Sequence, residues 1–320
     1  MEQRYGGFSR FHRDSYRKEC GVAIFTRLGV CLGLLVVSVC PAASLRAAEP
    51  APPATVEIAM PRTLFHGLHE SLMKLGAAPF LKMMKTNTGM EGAISFPADA
   101  RTLAAQLDAG KVHIGVMTGH EFAWAQSKYP DLMPIAVSVP MQPIQSFCVV
   151  AWDCKADNIG DLKDQKISLP GNHRDFGELF LEKQKTQHKT VFEGQLNRPF
   201  ADDAIFDVIE GRAGCTIIDC STFMYFQRVN PGQFQNLKVL TQSEVFPNAC
   251  IVAKKGGLDA KTIEKFKTAL FKAQNDPIGK PMLTTWKLKG FAPVPEDYPA
   301  QLKAIEKAYP VPASWNSAEK

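Results

Sequence analysis

The chain is predicted to be an α/β protein of two doubly wound lobes, the second inserted into the first, joined by two hinge crossovers. Three observations predict this. Apolar strand-like runs alternate with helical stretches of about 10–15 residues, the pattern of βαβ units. The alternation starts afresh near Ser146, after the run LMPIAVSVP has closed a first set. A late strand, NACIVAKK, is followed only by helical stretches, so the chain returns to where it began. The expected boundaries are 55–145 with 252–320 for the first lobe and 146–251 for the second. A chain of this length also exceeds what one hydrophobic core usually holds.

The elements follow in order. VEIAM (56–60) reads as a strand, and PRTLF turns into a helical stretch that ends near Gly89. GAISF is the second strand. In ADARTLAAQLDAG, Leu103, Ala104 and Leu107 fall at helical spacing, and Gly110 supplies the stop. KVHIGVMTG is the third strand, HEFAWAQSKYP a helix ended by Pro130, and LMPIAVSVP the fourth strand. In the second set, SFCVVAW is a strand, NIGDLKDQ a connector, KISLPG a strand and HRDFGELFLEKQ a helix. TVFEGQL reads as a strand, PFADDAIFDVIEGR as an amphipathic helix, and CTIIDC as a strand opening STFMYFQRV. LKVLTQS and NACIVAKK are the last strands. DAKTIEKFKTALFKAQ, PIGKPMLTTWKL and PAQLKAIEKAYP are three terminal helices.

Residues 1–48 read as an export signal rather than as fold. A basic head precedes LGVCLGLLVVSVC, an uncharged apolar run too short for a relaxed span of about 20 residues. PAASLRAAEP then offers small residues for cleavage near Ala47 or Ala48, which places the mature protein in the periplasm. A retained membrane anchor and a lipid anchor at Cys40 are the alternatives, although Val39 stands where a lipoprotein has a small residue. The leader carries Arg4, Arg10, Arg13, Arg17, Lys18, Arg27 and Arg46 against Glu2, Asp14 and Glu19. The net charge of +5 therefore lies almost wholly in the leader. A nucleic-acid partner needs a basic field, and the mature chain has none.

Cys148, Cys154, Cys215, Cys220 and Cys250 remain in the mature chain, an odd number for an exported protein. Cys148 and Cys250 both begin strand-like runs and would be in reach of a bridge if those strands paired. Ordinary buried thiols are the alternative. No CxxC, GxxxxGK[ST], GxGxxG or HExxH occurs, so thioredoxin-type, nucleotide and zincin chemistry have no support. His66 and His69, beside Glu70, share a helix face but lack a third ligand, and no metal or cofactor is expected.

The runs DAGKVHIGVMTGHEFAWA, NIGDLKDQKISLPG, FDVIEGRAGCTIID and NACIVAKKGGLDAKTIEKFKTAL resemble the phosphonate/phosphite-type periplasmic substrate-binding proteins of ABC transporters. These are a branch of the type II, two-lobed binding proteins, and the likeness covers nearly the whole mature chain. It implies a receptor that closes on a small oxyanion, phosphonate, phosphite or phosphate, and delivers it to an ABC permease. The chain departs from the family in two places. GNHRDFG stands where the family has a Ser/Thr-rich turn, with Asn172, His173 and Arg174 in its place, and Phe122 stands where a Tyr is common.

In open α/β sheets the ligand sits beyond the carboxyl ends of the strands, where loops meet helix starts. Four such junctions are visible, around Arg62 and Thr63, Thr118 to Phe122, Asn172 to Arg174, and Asp219 to Ser221. A small anion would take N–H groups from a helix start and charge from Arg62 or Arg174. Each candidate also has a local role open to it. Thr118, Asn172 and Ser221 are natural N-caps, His120 and Glu121 could be exposed first-turn groups, and Phe122 could be core. Arg62 suits a rim position, and Arg174 opposes the helix dipole. Asp219 repels an anion unless it meets a cation, which admits an amino-bearing ligand. No catalytic residue is expected. Cys220, beside Asp219 at a helix start with His120 or His173 across the cleft, is the one thiol-enzyme alternative. A ligand sensor signalling to a membrane partner is the other alternative to transport.

Overall fold

The computed structural model describes residues 55–65, 68–171 and 175–316, the side chains of 314 and 316 excepted. The leader and its cleavage site, His66 of the histidine pair, and Asn172, His173 and Arg174 lie outside the described residues.

The strands are β1 (Thr55–Ala59), β2 (Glu91–Ser95), β3 (Ile114–Met117), β4 (Leu132–Pro140), β5 (Ser146–Ala151), β6 (Lys166–Pro170), β7 (Gly194–Arg198), β8 (Cys215–Asp219), β9 (Leu237–Gln242), β10 (Cys250–Lys254) and β11 (Leu288–Ala292). They form two sheets, ordered β11-β4-β10-β3-β1-β2 and β7-β6-β8-β5-β9. Each has a parallel trio, β2-β1-β3 and β7-β6-β8, flanked by an antiparallel strand, β10 or β5. The sheets are thus mixed where alternation alone predicted parallel ones. The reason is that β5 and β10 enter from the other sheet rather than through a helix.

The helices are α1 (Glu70–Thr88), α2 (Ala100–Asp108), α3 (Gly119–Lys128), α4 (Asp175–His188), α5 (Ala201–Ile209), α6 (Cys220–Val229), α7 (Pro231–Phe234), α8 (Ala260–Lys272), α9 (Gly279–Thr285), α10 (Tyr298–Ala308) and α11 (Ala313–Asn316). Short 3-10 turns lie at Arg62–Phe65 and Ile159–Leu162. α1 stops at Gly89, whose φ of 72° only glycine adopts freely and whose N–H closes on the Lys85 carbonyl. Helices cover both faces of the first sheet. Phe80, Met83, Phe266 and Leu270 fill one side, and Leu103, Leu107, Phe122 and Tyr298 the other. The second sheet is covered likewise, by Phe180 and Leu181 on one face and Ile205, Val208 and Phe226 on the other. No helix among the described residues is long and apolar enough to cross a membrane.

Two segments connect the sheets, 141–145 and 243–249, and they are hydrogen-bonded to one another. Ser243 N donates to Ser146 O at 2.9 Å, Ser146 N to Ser243 Oγ at 3.0 Å, and Phe246 N to Ile144 O at 2.8 Å. The Gln145 amide adds a bond to Ser243 O at 2.7 Å.

Two expectations change. Cys148 lies on β5 and Cys250 on β10, strands of different sheets that never pair, so no bridge joins them; all five described cysteines are free. The stretch after PIGKPMLTT is not helix to its end. Leu288–Ala292 is edge strand β11, antiparallel to β4. Its five residues include Lys289 and Gly290, too little apolar alternation to read as strand before β4 offers a partner.

Candidate ligand cleft

The junctions after β1, β3, β6 and β8 lie at the carboxyl ends of the parallel strands, and three of them converge. α3 begins immediately after β3, with Thr118 as its N-cap. Glu121, three residues on, reaches back over the helix start. Its Oε2 accepts from Thr118 N at 3.2 Å and from Thr118 Oγ1 at 2.7 Å. Thr63, from the turn after β1, approaches Oε1 at 3.5 Å. His120 is 2% exposed and its Nε2 lies 3.5 Å from Thr118 Oγ1. Its ring meets Trp124 and Phe246 edge-on, at centroid distances of 5.0 and 5.4 Å.

These residues floor a cavity of about 370 Å³. Thr63, Asp99, Ala100, Arg101, His120, Glu121 and Trp124 line it from the first sheet's side. Asp175, Glu178 and Leu179 of α4, the helix that follows β6, face them. Pro312 and Trp315 from the C-terminal segment make the third wall. A cavity of about 450 Å³ around Asp153, Cys154, Lys155, Gln165 and Gly214 is larger. It lies at the entry ends of β6 and β8, the wrong end of a parallel trio for a ligand.

α4 is held against the first sheet's elements. Phe176 packs on Phe246 at 5.4 Å, and Phe246 stacks on Tyr309 at 4.9 Å. Lys183 pairs with Glu244 and lies over the Tyr309 ring, while the Tyr309 hydroxyl donates to Glu244 at 2.6 Å. Trp124 Nε1 donates to Tyr309 O at 2.9 Å, and Trp315 meets Trp124 edge-on at 5.5 Å.

The electrostatics of the floor are set by desolvation. Burial pushes the His120 imidazolium pKa down to about 3, so the ring is neutral at physiological pH. Burial pushes Glu121 up to about 7; Thr118 bonds oppose that, and the Asp175 charge across the cleft adds to it. Asp175 and Glu178 are exposed at the rim, and Asp99 caps α2 through the Thr102 N–H at 2.7 Å.

The sequence-predicted residues divide accordingly. Thr63, His120 and Glu121 line the cavity, and Thr118 holds Glu121 in place. His120 and Glu121 are buried, not exposed first-turn groups. Arg62 sits outside the lining, donating to Phe96 O and to Glu70 Oε2 at 3.1 Å each. Phe122 is fully buried core. Asp219, rather than Ser221, caps α6: Oδ1 accepts from Thr222 N at 2.8 Å and Oδ2 from Thr222 Oγ1 at 3.2 Å. Neither Asp219 nor Ser221 lines the cavity. Cys220 is buried, and burial, then the Asp219 charge, raises its thiol pKa, the reverse of what a stabilised thiolate requires. Sequence reasoning missed Asp99, Arg101, Asp175, Glu178, Pro312 and Trp315. For Trp315 the available signal was an aromatic residue in a proline-bounded tail, YPVPASW.

Gly119 shows how tightly α3 meets the second crossover. A Cβ there would lie 2.4 Å from Pro247 O and 2.6 Å from Pro247 Cβ. Gly119→Ala is expected to cost about 1–3 kcal/mol by overpacking. Because the displaced atoms are the helix start and the crossover, ligand affinity should fall as well, measurable by urea unfolding alongside a binding titration.

The chain belongs to the family of periplasmic substrate-binding proteins of ABC phosphonate transporters, which it matches over residues 68–298. Solved structures share its two-sheet α/β fold. XAC2383 from Xanthomonas citri, solved bound to ATP, is similar at a TM-score of 0.59 and 14% identity, over 80% of this chain and 97% of that one. PhnD1 from Prochlorococcus marinus, solved in complex with methylphosphonate, is similar at 0.55 and 13% identity, over 79% and 97%. A binding-protein component of an ABC phosphonate transporter from Pseudomonas aeruginosa is similar at 0.53 and 17% identity, over 79% and 85%. No curated protein sequence matches the chain.

Proposed function

We propose that this protein is an exported solute receptor whose two sheets are the cores of two lobes, that it closes on a small phosphorus oxyanion, and that it hands the ligand to an ABC permease. One observation carries the reading. The cavity lies at the carboxyl ends of both parallel trios, between the starts of α3 and α4, while two mutually bonded crossovers connect the sheets. Paired crossovers of this kind permit hinge closure with little loss of packing. Closure would expel water and strengthen the contacts at the two helix starts. Asn172 and Arg174, just before α4, complete the second jaw in this reading. Thr63, Thr118, His120 and Glu121 form the first. The protein performs no chemistry on the ligand, and its leader directs it to the periplasm.

The test is a thermal-shift series with phosphate, phosphite, methylphosphonate, sulfate, nitrate and small carboxylates. A cognate ligand at a thousandfold excess over Kd should stabilise the protein by about 4 kcal/mol. Arg174→Ala should abolish the shift. Stabilisation by a carboxylate and by no phosphorus compound would sink the reading.

A further inference from the structure

α4 belongs to two cores at once. Phe180 and Leu181 are buried in the core of the second sheet. Phe176 and Leu179 pack instead against the first sheet's cluster, the one that contains Trp124 and Tyr309. Phe176, Leu179 and Lys183 recur at i, i+3 and i+7, so one stripe of the helix is turned toward the first sheet's elements over two turns. Tyr309 is where these contacts meet. It is the C-cap of α10, 3% exposed, and its carbonyl accepts from Trp124 Nε1 of α3 at 2.9 Å. Its ring stacks on Phe246 of the second crossover at 4.9 Å, and the Lys183 ammonium lies 4.7 Å from its centre. Its hydroxyl donates at 2.6 Å to Glu244 of the same crossover, the carboxylate that pairs with Lys183. The Lys183 side chain is 19% exposed, so most of its water has been removed. One residue thus touches α3, α4 and the hinge.

These partners separate unequally if the lobes turn about the crossovers. Tyr309 stays with Phe246 and Glu244, to which it is stacked and bonded. Phe176 and Lys183 leave with α4. Opening therefore uncovers a face of Tyr309 and the Phe176–Phe246 contact, and it breaks a largely desolvated cation–π contact and ion pair. None of Phe176, Lys183, Glu244, Phe246 and Tyr309 lines the cavity, so these contacts favour closure whether or not a ligand is bound. We infer that Tyr309 and Lys183 form a latch that holds α4 against the first lobe, so that the cleft rests closed and admits ligand through brief opening. Both are positioning residues, acting on the ligand through the start of α4 rather than by touching it. The inference rests on the hinged-receptor reading above and adds which state the hinge occupies by itself. A contact made equally in the free and bound closed states leaves affinity little changed but slows both entry and exit.

Lys183→Ala tests the latch, because its loss leaves the apolar side chains of both cores in place. Small-angle X-ray scattering of the full chain gives the radius of gyration, and stopped-flow mixing with methylphosphonate gives the rates. The wild type should have the same radius with and without methylphosphonate. Lys183→Ala should be expanded without it and return to the wild-type radius with it. Its association and dissociation rate constants should both rise, by about tenfold, with a smaller change in Kd. A merely structural loss would speed dissociation without speeding association. Tyr309→Phe keeps the stacked ring and loses only the bond to Glu244, so it should move the same readouts in the same direction by less. A wild type that contracts on binding would overturn the inference and leave the receptor reading standing. So would unchanged association in Lys183→Ala. If no phosphorus oxyanion binds, the receptor reading falls, while the ligand-free radii still decide the latch: an expanded variant supports it, and equal radii overturn it.

Discussion

Asp207→Ala is expected to destabilise the protein by about 3–5 kcal/mol. The Asp207 carboxylate is fully buried where α5 crosses the second sheet. Ser168 Oγ of β6 donates to Oδ2 at 2.7 Å, and Arg198 at the end of β7 donates to both oxygens, at 2.5 and 2.9 Å. Arg212, just past α5, donates to Oδ1 at 2.5 Å. One side chain thus ties a helix to two strands and to its own exit loop. Truncation leaves the buried Ser168 hydroxyl without this acceptor and Arg198 without its carboxylate partner, while Arg212 keeps only its pair with Glu210. Urea unfolding would measure the loss. Burial alone would raise the Asp207 pKa, but hydrogen bonds from Arg198, Ser168 and Arg212 outweigh it and hold it at about 2. Its stabilisation is therefore present above the unfolded value near 3.8 and is lost as pH falls through about 2. A loss below about 1 kcal/mol would mean that water replaces the carboxylate and that α5 does not depend on it.

The second large effect is a pH profile set by two neighbouring residues of opposite sign. His120 has a folded pKa of about 3, below its ordinary 6.5. Its stabilisation is present above 6.5 and is lost, by about 1.4 kcal/mol per pH unit, as pH falls toward 3. Glu121 has a folded pKa of about 7, above its ordinary 4.5. Its contribution is present below 4.5 and is lost as pH rises through 7. Between about 4.5 and 6.5 the two slopes cancel, so stability should be flat there and fall steeply below. His120→Phe, which keeps an aromatic ring against Trp124 and Phe246, should unmask the Glu121 slope. Its stability should rise by roughly 3 kcal/mol as pH is lowered from above 7 to 4.5. Denaturant unfolding at a series of pH values measures both curves. A variant curve that parallels the wild type would show that water reaches the floor of the cleft and that neither group is desolvated.

Much of this architecture was legible from short-range signals. Hydrophobic runs bounded by Gly and Pro gave the strands, and Leu103, Ala104 and Leu107 gave α2. Gly89 marked the end of α1, and the cap that Thr118 forms was one of the two roles its position allowed. The candidate cleft was legible only as a set of junctions. Glu121 looked like an ordinary first-turn acid, favourable at a helix dipole wherever the helix happens to lie. Asp175 and Glu178, first-turn acids of α4, carried no signal that set them apart.

By itself, then, the sequence determined the order of elements, the near-neutral charge of residues 49–320 and the helix starts from which a cleft could be built, because spacing, capping and turn chemistry act over a few residues. Tertiary structure alone decided that β5 and β10 run antiparallel in different sheets, which removes the Cys148–Cys250 bridge. It also brought Thr63 to Glu121 across 58 residues and set Trp315 against Trp124. Most consequentially, it stripped water from His120 and Glu121. Desolvation belongs to no residue type or spacing; it depends on which distant segments pack over a group, and here that packing turns a routine helix cap into the desolvated floor of the candidate cleft.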